Sequence, residues 1–330
     1  MNNSGAQYSC IVIGAGISGL MAATTLKNHG KRTLVLDKGR GVGGRMATRR
    51  IKGFCFDHGA QAVFCRSEEF ERTVSDWLQR GVAKQCSYPA EADCEHLRVE
   101  PVCGVAGMSS LAKALASDLN VITATRVQKV RWSGFGWEVV TETGGKFDSE
   151  SVIMTAPVPQ SLELLREGGV DLPPVVASRL ADVTYERCIA LMAVFDAAAP
   201  IIGQPFIKLQ RGLVNLVVDN FAKGVSSQAG AFTIHGSVDF SHAFWEKSDS
   251  EIVSALFEAA ADCLPERASL SQVHRWRYSR AITVSETPYQ LIEYPGLLSF
   301  AGDGFLGRDI EGAALSGMRA AEAIAARIAR

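Results

Sequence analysis

Apolar positions along the chain change period several times, and each change marks an element. Residues 10–13 form a short β-branched run that stops at a glycine cluster, after which Leu20, Ala23 and Leu26 recur at helical spacing up to Gly30. A second apolar run, Thr33–Leu36, ends in Asp37, so the opening segment reads strand, tight turn, helix, strand. That is a βαβ unit, its crossover right-handed and its strands the start of a parallel sheet. Past a loop rich in Gly and Arg (39–50) and the stretch 54–59, the pattern predicts an amphipathic helix over Glu68–Gln79 with Phe70, Val74, Trp77 and Leu78 on its apolar face. A further helix is expected near Gly107, capped by Ser109 or Ser110 and carrying Leu111, Leu115 and Leu119. Strands over 121–130, 136–142 and 151–155 follow, the last stopped by Ala156-Pro157-Val158-Pro159. Residues 160–273 read as a helix, strands near 188–195, 213–218 and 231–237, and a helix over 249–263: a second, antiparallel lobe. A buried strand at 297–302 leads through glycines into an Ala-rich helix over 312–328. No internal repeat interrupts this order.

At 330 residues the chain exceeds the size at which one core usually keeps growing, so two lobes are expected. With 47% hydrophobic and 21% charged residues it has the composition of a globular protein. A formal charge of -1 and no run of Lys or Arg leave no field for nucleic acid or an anionic membrane, which points to a small-molecule partner. The early apolar run, 10–23, is broken by Gly14, Gly16, Ser18 and Gly19 and follows a polar start without a basic region, unlike a signal peptide. Nothing approaches the roughly 20 apolar residues of a spanning helix, so the expected location is cytoplasmic. The eight cysteines, Cys94 among them, are scattered, with no C-x-x-C and no His at zinc spacing, which suits reduced, mostly buried thiols and no metal.

Candidate chemistry begins at Gly14-Ala15-Gly16-Ile17-Ser18-Gly19, a G-x-G-x-x-G directly after a strand and opening a helix. Gly14 allows the tight turn, Gly16 lets the backbone approach a pyrophosphate, and Gly19 lets helix and strand pack closely. The helix N-terminus favours the negative charge. Asp37 lies 18 residues past Gly19, where the acidic partner of a ribose hydroxyl is expected. The fingerprint alone serves NAD or FAD. The next loop, Lys38-Gly39-Arg40-Gly41-Val42-Gly43-Gly44-Arg45-Met46, offers amides from Gly43 and Gly44 and a forked cation from Arg45 to a diphosphate, an element foreign to NAD-dependent dehydrogenases.

Gly-Gly-Arg-Met after the acidic residue resembles flavoproteins of the amine-oxidase and carotenoid-desaturase superfamily. Ala301-Gly302-Asp303-Gly304-Phe305 and Glu311-Gly312-Ala313 resemble that superfamily's C-terminal anchor. Within it the chain is most similar to the renalase-like FAD-dependent oxidases. Gly59-Ala60-Gln61, Gly107-Met108-Ser109-Ser110, residues 154–159, Asp219-Asn220, Ile234-His235 and residues 274–279 carry the likeness along nearly the whole chain. Where such relatives have an aromatic residue after Gly59-Ala60-Gln61, this chain has Ala62.

The resemblance implies an α/β fold: a Rossmann-like, glutathione-reductase-like FAD-binding domain (1–64, 104–158 and 275–330) interleaved with a smaller substrate domain of antiparallel sheet and helices (65–103 and 159–274). It implies noncovalent FAD held by Gly14 to Gly19, Asp37, Lys38, Arg40, Gly43, Gly44, Arg45, Met46, Gly59, Ala60, Gln61, Val127, Ala156, Asp303, Ile310, Glu311 and Ala313. The start of the last helix would face the pyrimidine side of the flavin. The implied reaction takes a hydride from a 1,2- or 1,6-dihydro isomer of NAD(P) and passes the electrons to O2, giving NAD(P)+ and hydrogen peroxide. A nicotinamide dinucleotide and O2 are then the partners of an oxidoreductase that is a monomer or weak homo-oligomer. No Ser/His/Asp, Cys/His or paired-carboxylate constellation is found, as suits a hydride donor that needs little acid–base help. Gln61, His235, Trp276 and Arg277 are candidates to line the substrate face.

Other readings stay open. An amine oxidase would place an aromatic residue just ahead of Glu311-Gly312-Ala313, where this chain has Asp309 and Ile310. A carotenoid or porphyrinogen desaturase would want a membrane-docking surface. A flavin-binding module without catalysis would share the same FAD motifs.

Overall fold

The computed structural model describes residues 7–89, 96–196, 204–209, 212–265 and 268–328; Cys94 lies outside them. The chain divides into two compact, discontinuous units, one of residues 1–44, 112–184 and 281–330, the other of residues 45–111 and 185–280. These boundaries differ from those drawn on the sequence. Residues 45–64, 104–111 and 275–280 group with the second unit, and 159–184 with the first, where helix Val158–Glu167 lies against strand Val127–Trp132.

The first unit is built on an eight-stranded sheet, counted among the described residues, whose main path runs Gln290–Ile292, Leu297–Phe300, Lys146–Met154, Tyr8–Ile13, Thr33–Leu36, Val121–Ile122. All pairs on that path are parallel except the edge pair of Gln290–Ile292 with Leu297–Phe300. Strand Tyr8–Ile13 sits in the middle with Cys10, Ile11 and Val12 wholly buried, which is why it reads as a continuous apolar run rather than an alternating one. Helix Ile17–Asn28 covers this strand through Leu20, Ala22, Ala23 and Leu26, which share one core with Ala320, Ala321 and Ile324 of the last helix, Ile310–Ala325.

The sequence-predicted strand over 121–130 is two strands. Val121–Ile122 completes the parallel sheet, Ala124 then takes φ +51°, and Val127–Trp132 pairs antiparallel with Trp137–Thr141. The strand predicted at 151–155 starts earlier and spans Lys146–Met154, because its first half pairs with Trp137–Thr141.

The second unit carries a five-stranded sheet among the described residues, in the order Phe206–Lys208, Val214–Asp219, Ala231–Gly236, Tyr185–Phe195, Ala268–Ala281. The pairs of Val214–Asp219 with both its neighbours and of Ala231–Gly236 with Tyr185–Phe195 are antiparallel, as expected. Helix Asp249–Ala259 begins with a Ser248–Glu251 capping box and ends before 263, the chain continuing into a single tighter turn, Ala261–Cys263. Helix Glu68–Gln79 falls where its periodicity places it, capped by Ser67 and burying Phe70, Val74 and Trp77. Ser109 opens helix Ser109–Ala116 as its first residue, and the Ser110 hydroxyl donates back to Gly107 O, so neither serine has the expected N-cap place; Leu119 lies past the helix end. Among the described residues no helix is long and apolar enough to cross a membrane.

Candidate active site

In the first unit the chain leaves strand Tyr8–Ile13 through Gly14 at φ +112°. A side chain at Gly19 would place its Cβ 1.9 Å from Gly14 O, so only glycine permits this closeness of turn and helix. Gly16 differs: a Cβ there would meet nothing within 4 Å. It is the N-cap of helix Ile17–Asn28 and supplies no side-chain acceptor, and the first turn holds no acid, so the positive end of this helix carries no acidic residue of its own first turn. Gly43 lies alongside, its N–H donating to Ala15 O at 2.8 Å, and Gly44 follows at φ +54°. At the end of the second strand Asp37 accepts from Ala15 N and from Gly39 N, both at 2.6 Å. Open space over Gly16, an uncapped helix end, a glycine loop laid against it and a carboxylate beside it fit the diphosphate and ribose of an adenine dinucleotide.

The remaining first-unit candidates frame this turn less directly. Lys38 and Arg40 are exposed, Lys38 Nζ donating to Gln160 Oε1 at 3.1 Å. Val127 is buried in its strand, and Ala156 follows the central strand Lys146–Met154. Asp303 is buried and accepts from Ala281 N at 3.1 Å. The last helix starts at Ile310, two residues ahead of the predicted start, because Asp309 caps it by accepting from Gly312 N at 2.8 Å; it ends at Ala325 rather than 328. Glu311 and Ala313 are buried in its first turns and Ile310 is half-buried.

The second unit holds a buried polar cluster centred on Asp57, the last residue of strand Phe54–Asp57. Its carboxylate accepts from Lys223 Nζ at 2.8 Å, from Thr48 Oγ1 at 2.6 Å and from Met108 N at 2.9 Å. Neither side chain of the Asp57–Lys223 pair has any exposed surface. The Asp57 main chain is held as well: its N–H donates to Asn220 Oδ1, and its carbonyl accepts from Thr233 Oγ1 and Gln61 Nε2. Lys223 also donates to Gln61 Oε1 at 2.9 Å. One residue on, His58 O accepts from Trp276 Nε1 at 2.8 Å and pairs with His235 Nε2 at 3.2 Å, which makes Nε2 the protonated nitrogen of His235. The His58 ring stacks on Trp276 with centroids 5.2 Å apart and meets the edge of His274 at 4.9 Å.

Burial holds these imidazoles neutral. His58 is pushed down to about 3, by burial first and then by His274 and Arg49; His235 is pushed down to about 4 by burial; His274 is lowered by burial and Arg49. Gly59 is needed where it stands, since a Cβ would lie 2.0 Å from Arg45 O, the same carbonyl that accepts from Ala60 N at 2.9 Å. Arg45 Nη1 donates to Ser279 O at 3.2 Å, and Met46 is buried.

Gln61, His235 and Trp276 therefore meet in one cluster around Asp57 and His58. The Gln61 amide is occupied inside it, with Asp57 O, Gly59 O and Lys223 as partners. Arg277 is not brought together with them. It is exposed on the opposite face of strand Ala268–Ala281 from Trp276, in an open cleft with Trp245, Glu246, Lys247 and Arg275. Sequence reasoning missed the parts that tie the cluster together, the Asp57–Lys223 pair, Thr233 and His274. Lys223 is 166 residues from Asp57, and no local pattern announces either.

The profile of the family described as flavin containing amine oxidoreductase matches residues 91–325, and that of the NAD(P)-binding Rossmann-like domain matches residues 12–78. Renalase of Mus musculus is 27% identical over 92% of this chain and 94% of its own length. Prolycopene isomerase 2, chloroplastic, of an Oncidium hybrid cultivar is 44% identical over 63 residues, 19% of this chain and 11% of that protein. In fold, the structure of putrescine oxidase bound to putrescine superposes with a TM-score of 0.76 at 17% identity, covering 97% of this chain and 99% of that one.

Proposed function

The chain belongs to the flavin-containing amine oxidoreductase family, and from that premise we propose that this FAD-dependent oxidase takes a hydride from a 1,2- or 1,6-dihydro isomer of NAD(P) and passes the electrons to O2, giving NAD(P)+ and hydrogen peroxide. Bound FAD supplies the two-electron acceptor and, once reduced, the donor to O2. In the first unit Gly16, Gly43 and Gly44 would hold its diphosphate by backbone amides and Asp37 a ribose hydroxyl, while Asp303, Glu311 and Ala313 keep the places the resemblance gives them. In the second unit Trp276 and His235 are assigned to the nicotinamide, as an aromatic wall beside a polar edge. Gln61 serves by bracing the Gly59–Ala60 loop, and Arg277 is left out of this set.

The observation that carries this reading is the hydrogen bonding of the cluster, in which His235 Nε2 is turned to His58 O and Lys223 is enclosed by Asp57 and Gln61. Imidazoles held near 3 and 4 are too weak as bases to keep a proton at neutral pH, and the Lys223 ammonium is sealed against Asp57 and Gln61. Such a face binds and orients a ring without exchanging protons with it. A dihydronicotinamide asks no more, because its own nitrogen lone pair expels the hydride as the aromatic pyridinium forms. The place where an amine oxidase would set an aromatic residue is taken by Asp309, which is spent on capping the last helix.

Aerobic incubation with each dihydro isomer, with NADH and with putrescine, followed by peroxide titration, tests the proposal. One peroxide per isomeric dihydronicotinamide and none from putrescine is the expected result; peroxide from putrescine and none from the isomers would replace it with amine oxidation.

A further inference from the structure

We propose that Arg49 is a specificity-determining residue that takes an anionic phosphate of the dinucleotide whose ring is assigned to Trp276; this rests on the dihydronicotinamide reading and adds a phosphate requirement to it. Strand Thr48–Ile51 pairs antiparallel with strand Phe54–Asp57, Arg49 standing opposite Phe56 and Ile51 opposite Phe54, so these four residues share one face of the two-stranded sheet. Ile51, Phe54 and Phe56 pack there in one apolar group with Leu270. Leu270, His274 and Trp276 occupy even positions of strand Ala268–Ala281 and so share a face as well. Arg49 therefore stands at the end of this contact where the chain runs on from Phe56 to His58. There the His58 ring meets Trp276 at 5.2 Å and His274 at 4.9 Å. Strand register alone sets Arg49 beside this group of rings.

Two independent features leave the place short of a ligand. Arg49 is half-buried, and among the described residues its side chain has no hydrogen bond and no ion pair. Its neighbours along the chain are occupied, Arg45 donating to Ser279 O and Arg50 to Ala106 O. Asp57, the one carboxylate of the two strands, lies opposite Thr48 on the other face and is spent on Lys223, Thr48 and Met108. The second feature is His58, a residue only 3% exposed whose Nδ1 is buried without a partner. Stacking holds its ring, and a small turn would offer that nitrogen to a bound group and recover a missing hydrogen bond.

A nucleotide supplies what both lack. Phosphate oxygens match the guanidinium fork, and a ribose hydroxyl donates or accepts as the imidazole requires. A nicotinamide and its nearest phosphate are separated by a single ribose, so a ring on Trp276 leaves its phosphate within reach of an arginine on the adjoining hairpin. His58 and His274 are held neutral, by burial first and then by neighbouring charges that include Arg49. The phosphate thus meets one full charge among neutral rings, where a charge-assisted hydrogen bond is strong.

The test compares dissociation constants of the FAD-loaded protein for NAD+ and for nicotinamide riboside, which has the same ring and no phosphate, by equilibrium dialysis, together with KM and kcat for the isomeric dihydro-NAD. The wild type should hold NAD+ about tenfold or more tighter than the riboside at low salt, the gap narrowing as salt rises. Arg49→Met should weaken NAD+ binding by about tenfold to a hundredfold, leave the riboside within about twofold, and raise KM with kcat nearly unchanged. Arg49→Lys should recover part of the loss, a point charge replacing the fork. An Arg49→Met protein that binds NAD+ as the parent does, or that loses the riboside equally, would overturn the proposal. So would a wild type that holds both ligands alike, a comparison that needs no variant to fold. Peroxide from the isomers with an unchanged KM in Arg49→Met removes the phosphate assignment alone, whereas no peroxide from the isomers in the wild type removes the oxidase reading and this proposal with it.

Discussion

Replacing Lys223 with methionine should destabilise the second unit strongly while changing little of its packing. Methionine retains most of the apolar stem, so the loss falls on the ammonium. Asp57 keeps Thr48 Oγ1 and Met108 N as donors, but its carboxylate loses its positive partner in a pair with no exposed surface, and Gln61 Oε1 loses its donor. Removing one member of a buried ion pair costs about 3–5 kcal/mol, because the other charge stays behind in a poorly polarisable interior. Two surviving donors place Lys223→Met near the lower end, about 3 kcal/mol, or roughly two orders of magnitude in the unfolding equilibrium. Lys223→Met combined with Asp57→Asn removes both charges and should lose less than the single substitution. Urea unfolding followed by far-ultraviolet circular dichroism gives the midpoints, and hydrogen exchange over residues 54–61 locates the effect. A single variant within about 0.5 kcal/mol of the parent, or a double variant less stable than the single one, would refute this view of the cluster.

Gly16→Ala should leave the unfolding midpoint of the FAD-free protein unchanged yet lower FAD retention through gel filtration, since its Cβ meets nothing within 4 Å; Gly19→Ala should cost about 1–3 kcal/mol of stability, read as a lower midpoint, its Cβ falling 1.9 Å from Gly14 O. Asp309→Ala removes the cap of the last helix and should cost about 0.5–2 kcal/mol, read as a shift in the same urea midpoint. His58 and His235 have folded values below the ordinary 6.5, so the unfolded chain binds more protons in acid: their contribution is complete above pH 6.5 and is lost as pH falls toward about 4 for His235 and about 3 for His58. Stability should therefore fall between pH 6.5 and 5, by at most about 1.4 kcal/mol per pH unit for each histidine, and His235→Gln should flatten that slope; an unchanged slope would count against a neutral His235.

The dinucleotide turn could be read from sequence because everything that shapes it is local. A strand, three glycines, a helix and an acid at fixed spacing specify the turn, and the only long-range requirement is a neighbouring strand. The second unit's cluster had no such legibility. Asp57 and Lys223 look like ordinary charged residues in their own segments, and only tertiary packing, between a strand of the two-stranded sheet and the turn after Val214–Asp219, brings them into contact. Strand Ala268–Ala281 was missed because most of it is half-buried and its residues do not alternate cleanly between apolar and polar. Had it been recognised, the period of two would have separated Arg277 from Trp276, since consecutive strand residues point to opposite faces. The split of the strand predicted at 121–130 came from Ala124 at positive φ, a conformation that alanine seldom adopts and that nothing in its neighbours signals.

The most direct test of the proposed chemistry is anaerobic mixing of the FAD-loaded protein with NADH and, separately, with borohydride-reduced NAD containing the 1,2- and 1,6-dihydro isomers, following the flavin absorbance band. A renalase-like oxidase predicts rapid bleaching by the isomer mixture, little by NADH, and return of the band on admitting O2. A band that the isomers leave untouched while an amine such as putrescine bleaches it would contradict the dihydronicotinamide assignment.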